Sequence, residues 1–248
     1  PAAGIMSNAR DIAKWLIVFL NRGRLADGTR LYSEAVATEL ETMVTPLRGG
    51  PLQPELSALK ANFRGYALGL GVSDYRGRKL VTHTGGLPGY TSRLAWLPEI
   101  NLGVAILTNQ ESGDAWNSIA WTVLDHYLGD TDTPWVEAYS KVKARRDADD
   151  AKAEAATVSR RDTSSSPSLP LAKYAGTYAD PWYGDIAIAL EEGRLVMRFT
   201  KTPVLIGDLE HWQHDTFVVK WRDRELRADA FVTFALDPDG AIDQARMK

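Results

Sequence analysis

Lys79-Leu-Val-Thr-His-Thr-Gly-Gly-Leu-Pro-Gly-Tyr-Thr-Ser92 is the stretch on which the reading of this chain turns. An apolar run leads into the tetrad His83-Thr84-Gly85-Gly86. A strand that ends in two glycines brings bare backbone N–H groups close to a ligand oxygen, because no side chain holds the ligand away. The same residues admit plainer readings. His83 can be a strand-end histidine bonded to a neighbouring backbone group, and Gly85-Gly86 a bulge or turn.

Working outward, the spacing predicts two consecutive hairpins. Tyr66 to Val72 and Lys79 to Thr82 flank the turn Asp74-Tyr-Arg-Gly77. Tyr90 to Leu97 and Leu102 to Thr108 flank Pro98-Glu-Ile-Asn101. Together they imply an antiparallel sheet. Trp116, Ile119, Ala120, Val123, Leu124 and Tyr127 form a helical stripe that would cover it. Toward the N-terminus, Asn8 and Asp11 read as a capping pair ahead of Ile12, Trp15, Leu16, Phe19 and Leu20, one helix face that stops near Gly23. Ser33 caps a second helix with Val36, Leu40, Met43 and Val44 facing inward, and Pro46 to Pro54 reads as a surface loop.

After Trp135 the apolar positions thin out. Lys143-Ala-Arg-Arg-Asp-Ala-Asp-Asp150 is a solvated face of mixed sign on a helical connector, and Ser164-Ser-Ser-Pro-Ser168 a flexible linker. From Leu171 the pattern is β again. Ile186 to Leu190, Leu195 to Phe199, Phe217 to Trp221 and Phe231 to Leu236 are strands, punctuated by Glu192-Gly193 and Asp239-Gly240. The fold class expected is α+β, an antiparallel sheet covered by helices, plus a small all-β lipocalin-like barrel or sandwich. The expected divisions are 1–130, a connector and linker over 131–170, and 171–248.

Composition narrows the function. The chain has 248 residues, 44% of them hydrophobic, enough for a packed core. A formal charge of −3 gives no electrostatic reason to expect nucleic acid. No apolar run approaches the ~20 residues that span a bilayer. Zero cysteines exclude disulfides, thiolate zinc sites and a cysteine nucleophile. With Pro1 first and no leader, the chain reads as a processed or excised segment. His211 and His214, near Asp208, Glu210 and Asp215, suggest a metal only superficially. On a strand, positions i and i+3 face opposite ways, so hydrogen bonding is the expected role. No metal or cofactor is expected.

Five strings, taken together, resemble the C-terminal part of the class C β-lactamase, penicillin-binding-protein and esterase family: Tyr66-Ala-Leu-Gly-Leu-Gly71, His83-Thr-Gly-Gly86, Gly89-Tyr-Thr-Ser92, Leu97-Pro-Glu99 and Leu107-Thr-Asn109. Pro1-Ala-Ala-Gly-Ile-Met-Ser7 is similar to that family's segment ahead of a helix. Residues 171–248 resemble a β-barrel module appended to such hydrolases, chiefly in Gly207-Asp-Leu-Glu-His-Trp-Gln-His-Asp-Thr-Phe217.

The resemblance implies an acyl-enzyme mechanism on an ester, amide or β-lactam, that is, a small-molecule or peptide acyl substrate. His83, Thr84 and Gly85 would line the oxyanion side, Gly86 N–H would donate to the oxyanion, and Tyr90 would line the cleft mouth unless it is a cross-strand aromatic. It also implies a periplasmic or secreted bacterial protein, no nucleic-acid partner and a possible oligomer. The family's Ser-x-x-Lys and Tyr-x-Asn motifs are expected upstream, in a part of the same hydrolase domain that becomes this chain's partner. Ser57-Ala-Leu-Lys60 and Ser140-Lys-Val-Lys143 match the first motif by chance. Histidine, unlike lysine, is not a permanent cation near neutral pH, which leans toward an esterase or peptidase. The alternative is a non-catalytic binding module that uses the same cleft half and barrel.

Overall fold

The computed structural model describes residues 4–248. The chain divides into two compact units, one up to Asp150 and one from Ala151 to Lys248. Among the described residues no helix is long and apolar enough to cross a membrane.

The first unit opens with α1, Ala9–Leu20, capped by Asn8, whose side chain accepts from Asp11 N–H and donates to the Asp11 carboxylate. Leu16 and Val18 are buried, while Trp15 is half exposed and lies against Phe19 at the helix margin. The expected stripe is therefore rotated by part of a turn. α2, Glu34–Leu40, is capped by Ser33. It buries Ala37 and packs Leu40, but Val36 and Val44 face outward.

Six strands follow in a meander, in sheet order equal to chain order: β1 (Thr45–Pro46), β2 (Arg64–Tyr66), β3 (Gly71–Tyr75), β4 (Arg78–Leu87), β5 (Tyr90–Leu97) and β6 (Leu102–Thr108). The expected strand Tyr66 to Val72 is broken in the middle: Tyr66 ends β2, Gly71 and Val72 open β3, and 67–70 turn between them. Ala67 N–H donates to Leu70 O there, and Gly69 adopts φ +83. Leucine spacing hid a turn that glycine makes possible.

The sheet has a core on each face. On one, α1 lays Leu16 over Val72, Val81 and Trp96, with Phe19 stacked on Trp96 at 5.1 Å. α1 comes close because β6 has Gly103 there. A Cβ at that position would sit 2.7 Å from Leu16 Cδ2. On the other face, α3 (Gly113–Leu128) and the start of α4 (Trp135–Ser159) cover Tyr75, Leu80, Ala95 and Leu97 with Trp121, Leu124, Trp135 and Tyr139. α3 is rotated from the expected stripe, with Ile119 and Tyr127 exposed and Trp121 and Asp125 buried. Asp125 dictates that rotation. It accepts from Tyr75 OH (2.5 Å), Arg76 Nε (2.7 Å) and Trp135 Nε1 (2.7 Å).

In the second unit, Ser164 to Ser168 is tied down rather than loose. Ser164 donates to Asp162, Ser165 Oγ accepts from His214 N–H, and Ser168 donates to Asp215. Seven strands follow as another meander: β7 (Gly176–Asp180), β8 (Gly184–Glu191), β9 (Arg194–Phe199), β10 (Ile206–Gln213), β11 (Thr216–Trp221), β12 (Ala230–Leu236) and β13 (Ile242–Met247). One face of every pleat points to a single core containing Leu195, Met197, Phe199, Phe217, Val219, Trp221, Val232 and Phe234. Tyr178 on β7 meets Phe234 on β12 with ring centroids 5.7 Å apart, although four strands lie between them in the sheet. The sheet is therefore curled into a nearly closed barrel, as the strand spacing anticipated.

Candidate active site

Two tight turns fix the geometry around His83. Tyr75 pairs with Arg78 across Arg76-Gly77, both at positive φ (49° and 76°). Leu87 pairs with Tyr90 across Pro88-Gly89, with Gly89 at φ +82. A two-residue turn closes on a hydrogen-bonded pair, so Arg78 points its N–H and C=O toward β3, and Leu87 points its own toward β5. Counting inward at period two, the even-numbered residues of β4 face β3 and the odd-numbered ones face β5. Lys79 agrees, since its N–H donates to the Glu99 carboxylate at 3.0 and 3.1 Å, just past β5.

β3 stops before β4 does. Its last rung is Gly71 opposite Thr82, whereas β4 stays in unbroken register with β5 from Val81 to Leu87. The strand does not end at the glycine pair as the sequence suggested; its neighbour ends earlier, opposite Thr82. From His83 onward β4 is a free edge, and the backbone groups of Thr84 and Gly86 face the open side.

The two glycines are there for different reasons. A Cβ on Gly85 would lie 2.6 Å from Ser92 Oγ, so a side chain there would have to turn the paired serine's hydroxyl aside. A Cβ on Gly86 would meet nothing within 4 Å. His83, Thr84, Gly85 and Gly86 are all exposed. Side chains alternate across the strand, so His83 shares a face with buried Val81 and with the exposed pair Leu87 and Tyr90. Thr84 lies on the other face, opposite Arg93. The structure thus brings the four backbones to one edge and divides the His83 and Thr84 side chains between two faces.

Arg93 is the residue that sequence reasoning passed over. It is buried, its Nη1 donates to Asn117 Oδ1 at 2.9 Å, and the rings of Trp116 and Trp121 flank its guanidinium. The available signal was a lone charge in the otherwise uncharged β5. Burial draws its pKa down to about 10.

Ser57 sits exposed on a 3₁₀ turn, Pro54–Leu59, and Ser140 sits exposed on α4, where Lys143 is engaged by Asp147. In the barrel, His211 Nε2 meets His214 O at 2.9 Å, and no group of metal-ligating side chains occurs among the described residues.

The family model described as Beta-lactamase matches residues 1–128, and one described as a domain of unknown function, DUF3471, matches residues 160–248. Among curated proteins the chain is 26% identical to unguisins hydrolase ungD of Aspergillus violaceofuscus, over 96% of this chain and 45% of that protein. It is 27% identical to unguisins hydrolase ungD′ of Aspergillus campestris, over 96% of this chain and 44% of that protein. The chain thus spans less than half the length of these relatives. Among solved structures it is similar to an octameric penicillin-binding protein homologue from Pyrococcus abyssi, with a TM-score of 0.42, 19% identity, and coverage of 99% of this chain and 49% of that one.

Proposed function

The chain belongs to the beta-lactamase family, and from that premise we propose that it forms the oxyanion side of a serine hydrolase active site within a longer parent protein. The parent forms an acyl-enzyme on a serine carried outside these 248 residues, together with the general base, and water then releases the acyl group. The substrate is an ester, an amide or a β-lactam. Gly86 N–H donates to the developing oxyanion. Thr84 borders the substrate on one face of β4, and His83 with Tyr90 borders the mouth of the cleft on the other.

The observation that carries this reading is the free edge of β4. Its Thr84 and Gly86 N–H groups face outward, and among the described residues no strand beyond Gly71 accepts from them. A donor held in place by a sheet costs no reorganisation when charge develops on a carbonyl oxygen. Exposed Tyr66, Leu68, Leu87 and Tyr90 lie at this end of the sheet. They suit a surface covered by the upstream part of the same hydrolase domain. The curated relatives are named as hydrolases, which favours chemistry over binding alone.

The purified chain is expected to hydrolyse a chromogenic ester or cephalosporin no faster than buffer. In the parent enzyme, Gly86→Pro, which deletes the N–H, lowers kcat by about 10²–10³-fold. Gly86→Ala keeps the N–H, has room for its methyl, and costs much less. Robust turnover by the chain alone, lost in Ser57→Ala, would overturn the assignment of the nucleophile to another segment.

A further inference from the structure

Among the described residues five polar or charged side chains are buried: Glu41, Asp74, Arg93, Ser118 and Asp125. Four are answered within the fold. Glu41 pairs with Lys79, and Asp125 with Arg76. Asp74 accepts from the N–H groups of Asn62 and Phe63, and Ser118 donates to Asp114 O. Arg93, 8% exposed, has no carboxylate partner among the described residues.

Its guanidinium is only partly satisfied. Nη1 has Asn117 Oδ1, Nε is sealed from solvent with no acceptor, and no hydrogen bond holds Nη2. Trp116 and Trp121 lie 5.0 and 4.6 Å from Cζ, and their faces offset some of the lost hydration. Neither ring offers a lone pair in the guanidinium plane. With its pKa drawn down by burial to about 10, the group still carries its charge at neutral pH. A buried cation in this state calls for an anion.

A cavity of about 620 Å³ lies against it, between this face of the sheet and the segment 47–61. Arg93 and Asn117 form part of its wall, and Leu52, Leu59 and Leu80 supply an apolar part. The one acidic side chain in the lining, Asp74, has its oxygens occupied by Asn62 and Phe63.

We propose that this cavity binds a small organic carboxylate, its carboxylate on Arg93 Nη2 and the Asn117 amide, its apolar body against Leu52, Leu59 and Leu80. A planar carboxylate matches the guanidinium fork. The apolar wall selects an organic acid over inorganic phosphate. The proposal stands on the cavity and the unanswered cation, and does not depend on the hydrolase reading.

The test is a titration of the ¹⁵N-labelled chain at constant ionic strength, following the indole Nε1–H resonance of Trp121, which lines the same cavity and is kept in every variant, with butyrate, benzoate, butyramide and inorganic phosphate as probes. Butyrate and benzoate are expected to give a saturable shift, and butyramide and phosphate none. Arg93→Met should weaken the carboxylate response ~10-fold or more, as loss of a charged hydrogen bond implies. Asn117→Ala, which leaves the guanidinium in place, should weaken it less and guards against misfolding of the first variant. A shift shared equally by butyramide or phosphate, or no saturable shift in the unmodified chain, overturns the proposal.

Discussion

The two sheets of this chain share a topology and differ in what they leave open. Each is an antiparallel meander whose strand order follows the chain. The seven-stranded sheet curls until Tyr178 and Phe234 meet, and it encloses one core. The six-stranded sheet stays open, carries a separate core on each face, and ends β3 five residues before β4 ends, opposite Thr82 rather than Leu87. Curling turns the apolar face of the barrel sheet onto one core and leaves only β7 and β13 as edges. The open sheet keeps an edge with N–H groups at Thr84 and Gly86, and a cavity beside Arg93. In the same molecule, then, one meander wraps around a single core and the other leaves a strand edge and a cavity open.

The strongest way to break that comparison is to damage the closed core. Phe217 is 1% exposed, with its ring 5.2 Å from Tyr174 and 5.7 Å from Phe234. Phe217→Ala is expected to cost about 3–5 kcal/mol through lost burial and a residual cavity. Urea unfolding followed by amide resonances should show the barrel's transition shifted, with the amides of the six-stranded sheet holding their midpoint. If both sets shift together, the two sheets are one cooperative body and the contrast fails.

The open sheet depends more on charge. Asp125 holds β3, α3 and α4 together through Tyr75, Arg76 and Trp135. Asp125→Ala is expected to cost about 3 kcal/mol, the low end for a broken buried pair, because Asp130 still engages Arg76. Burial alone would raise the carboxyl pKa, but the hydrogen bonds from Arg76, Tyr75 and Trp135 outweigh it and hold the group below its ordinary value. A depressed folded-state pKa adds stability above the unfolded value of about 3.9, and that stability is lost as pH falls through the folded value. The gap between wild type and Asp125→Ala should therefore be full at pH 6 and shrink progressively below about pH 4. A gap that stays constant with pH would mean the carboxylate is not the source of the stability.

The sequence made some of this contrast legible. Tyr90–Leu97 and Leu102–Thr108 are β5 and β6 to the residue, because β-branched and apolar positions there are bracketed by Pro98 and Asn101. Asn8, Ser33 and the barrel strands at 195–199 and 217–221 were equally clear. What stayed hidden depends on partners distant in sequence. α3 turns Asp125 inward because Arg76 waits there, 49 positions earlier. β10 escapes a periodicity reading because Gly207 holds an inward position that Val219 and Trp221 fill; a Cβ would lie 2.5 Å from Val219 Cγ2. At the candidate site the tetrad was visible, but its free edge was not. That edge arises from where β3 stops, and no residue in the tetrad records it. Arg93 was overlooked because a lone cation in a strand signals nothing until its surroundings are known.

The smallest expected effect sharpens the comparison at the cavity wall. Ser112 caps α3 by accepting from Ala115 N–H at 3.2 Å, and the first turns of that helix carry Trp116 and Asn117 to Arg93. Ser112→Ala should cost about 1 kcal/mol, whereas Ser112→Gly, which suits the extended backbone of a cap, should cost only a few tenths. Hydrogen exchange of the α3 amides near Ala115 to Asn117 reads the loss directly, with the barrel amides as an internal standard. Faster exchange confined to that turn, together with a weakened Arg93–Asn117 contact, would tie the cap to the order of the cavity wall. Unchanged exchange would mean that the grip of Trp116, Asn117 and Trp121 on Arg93 already holds the helix start without its cap.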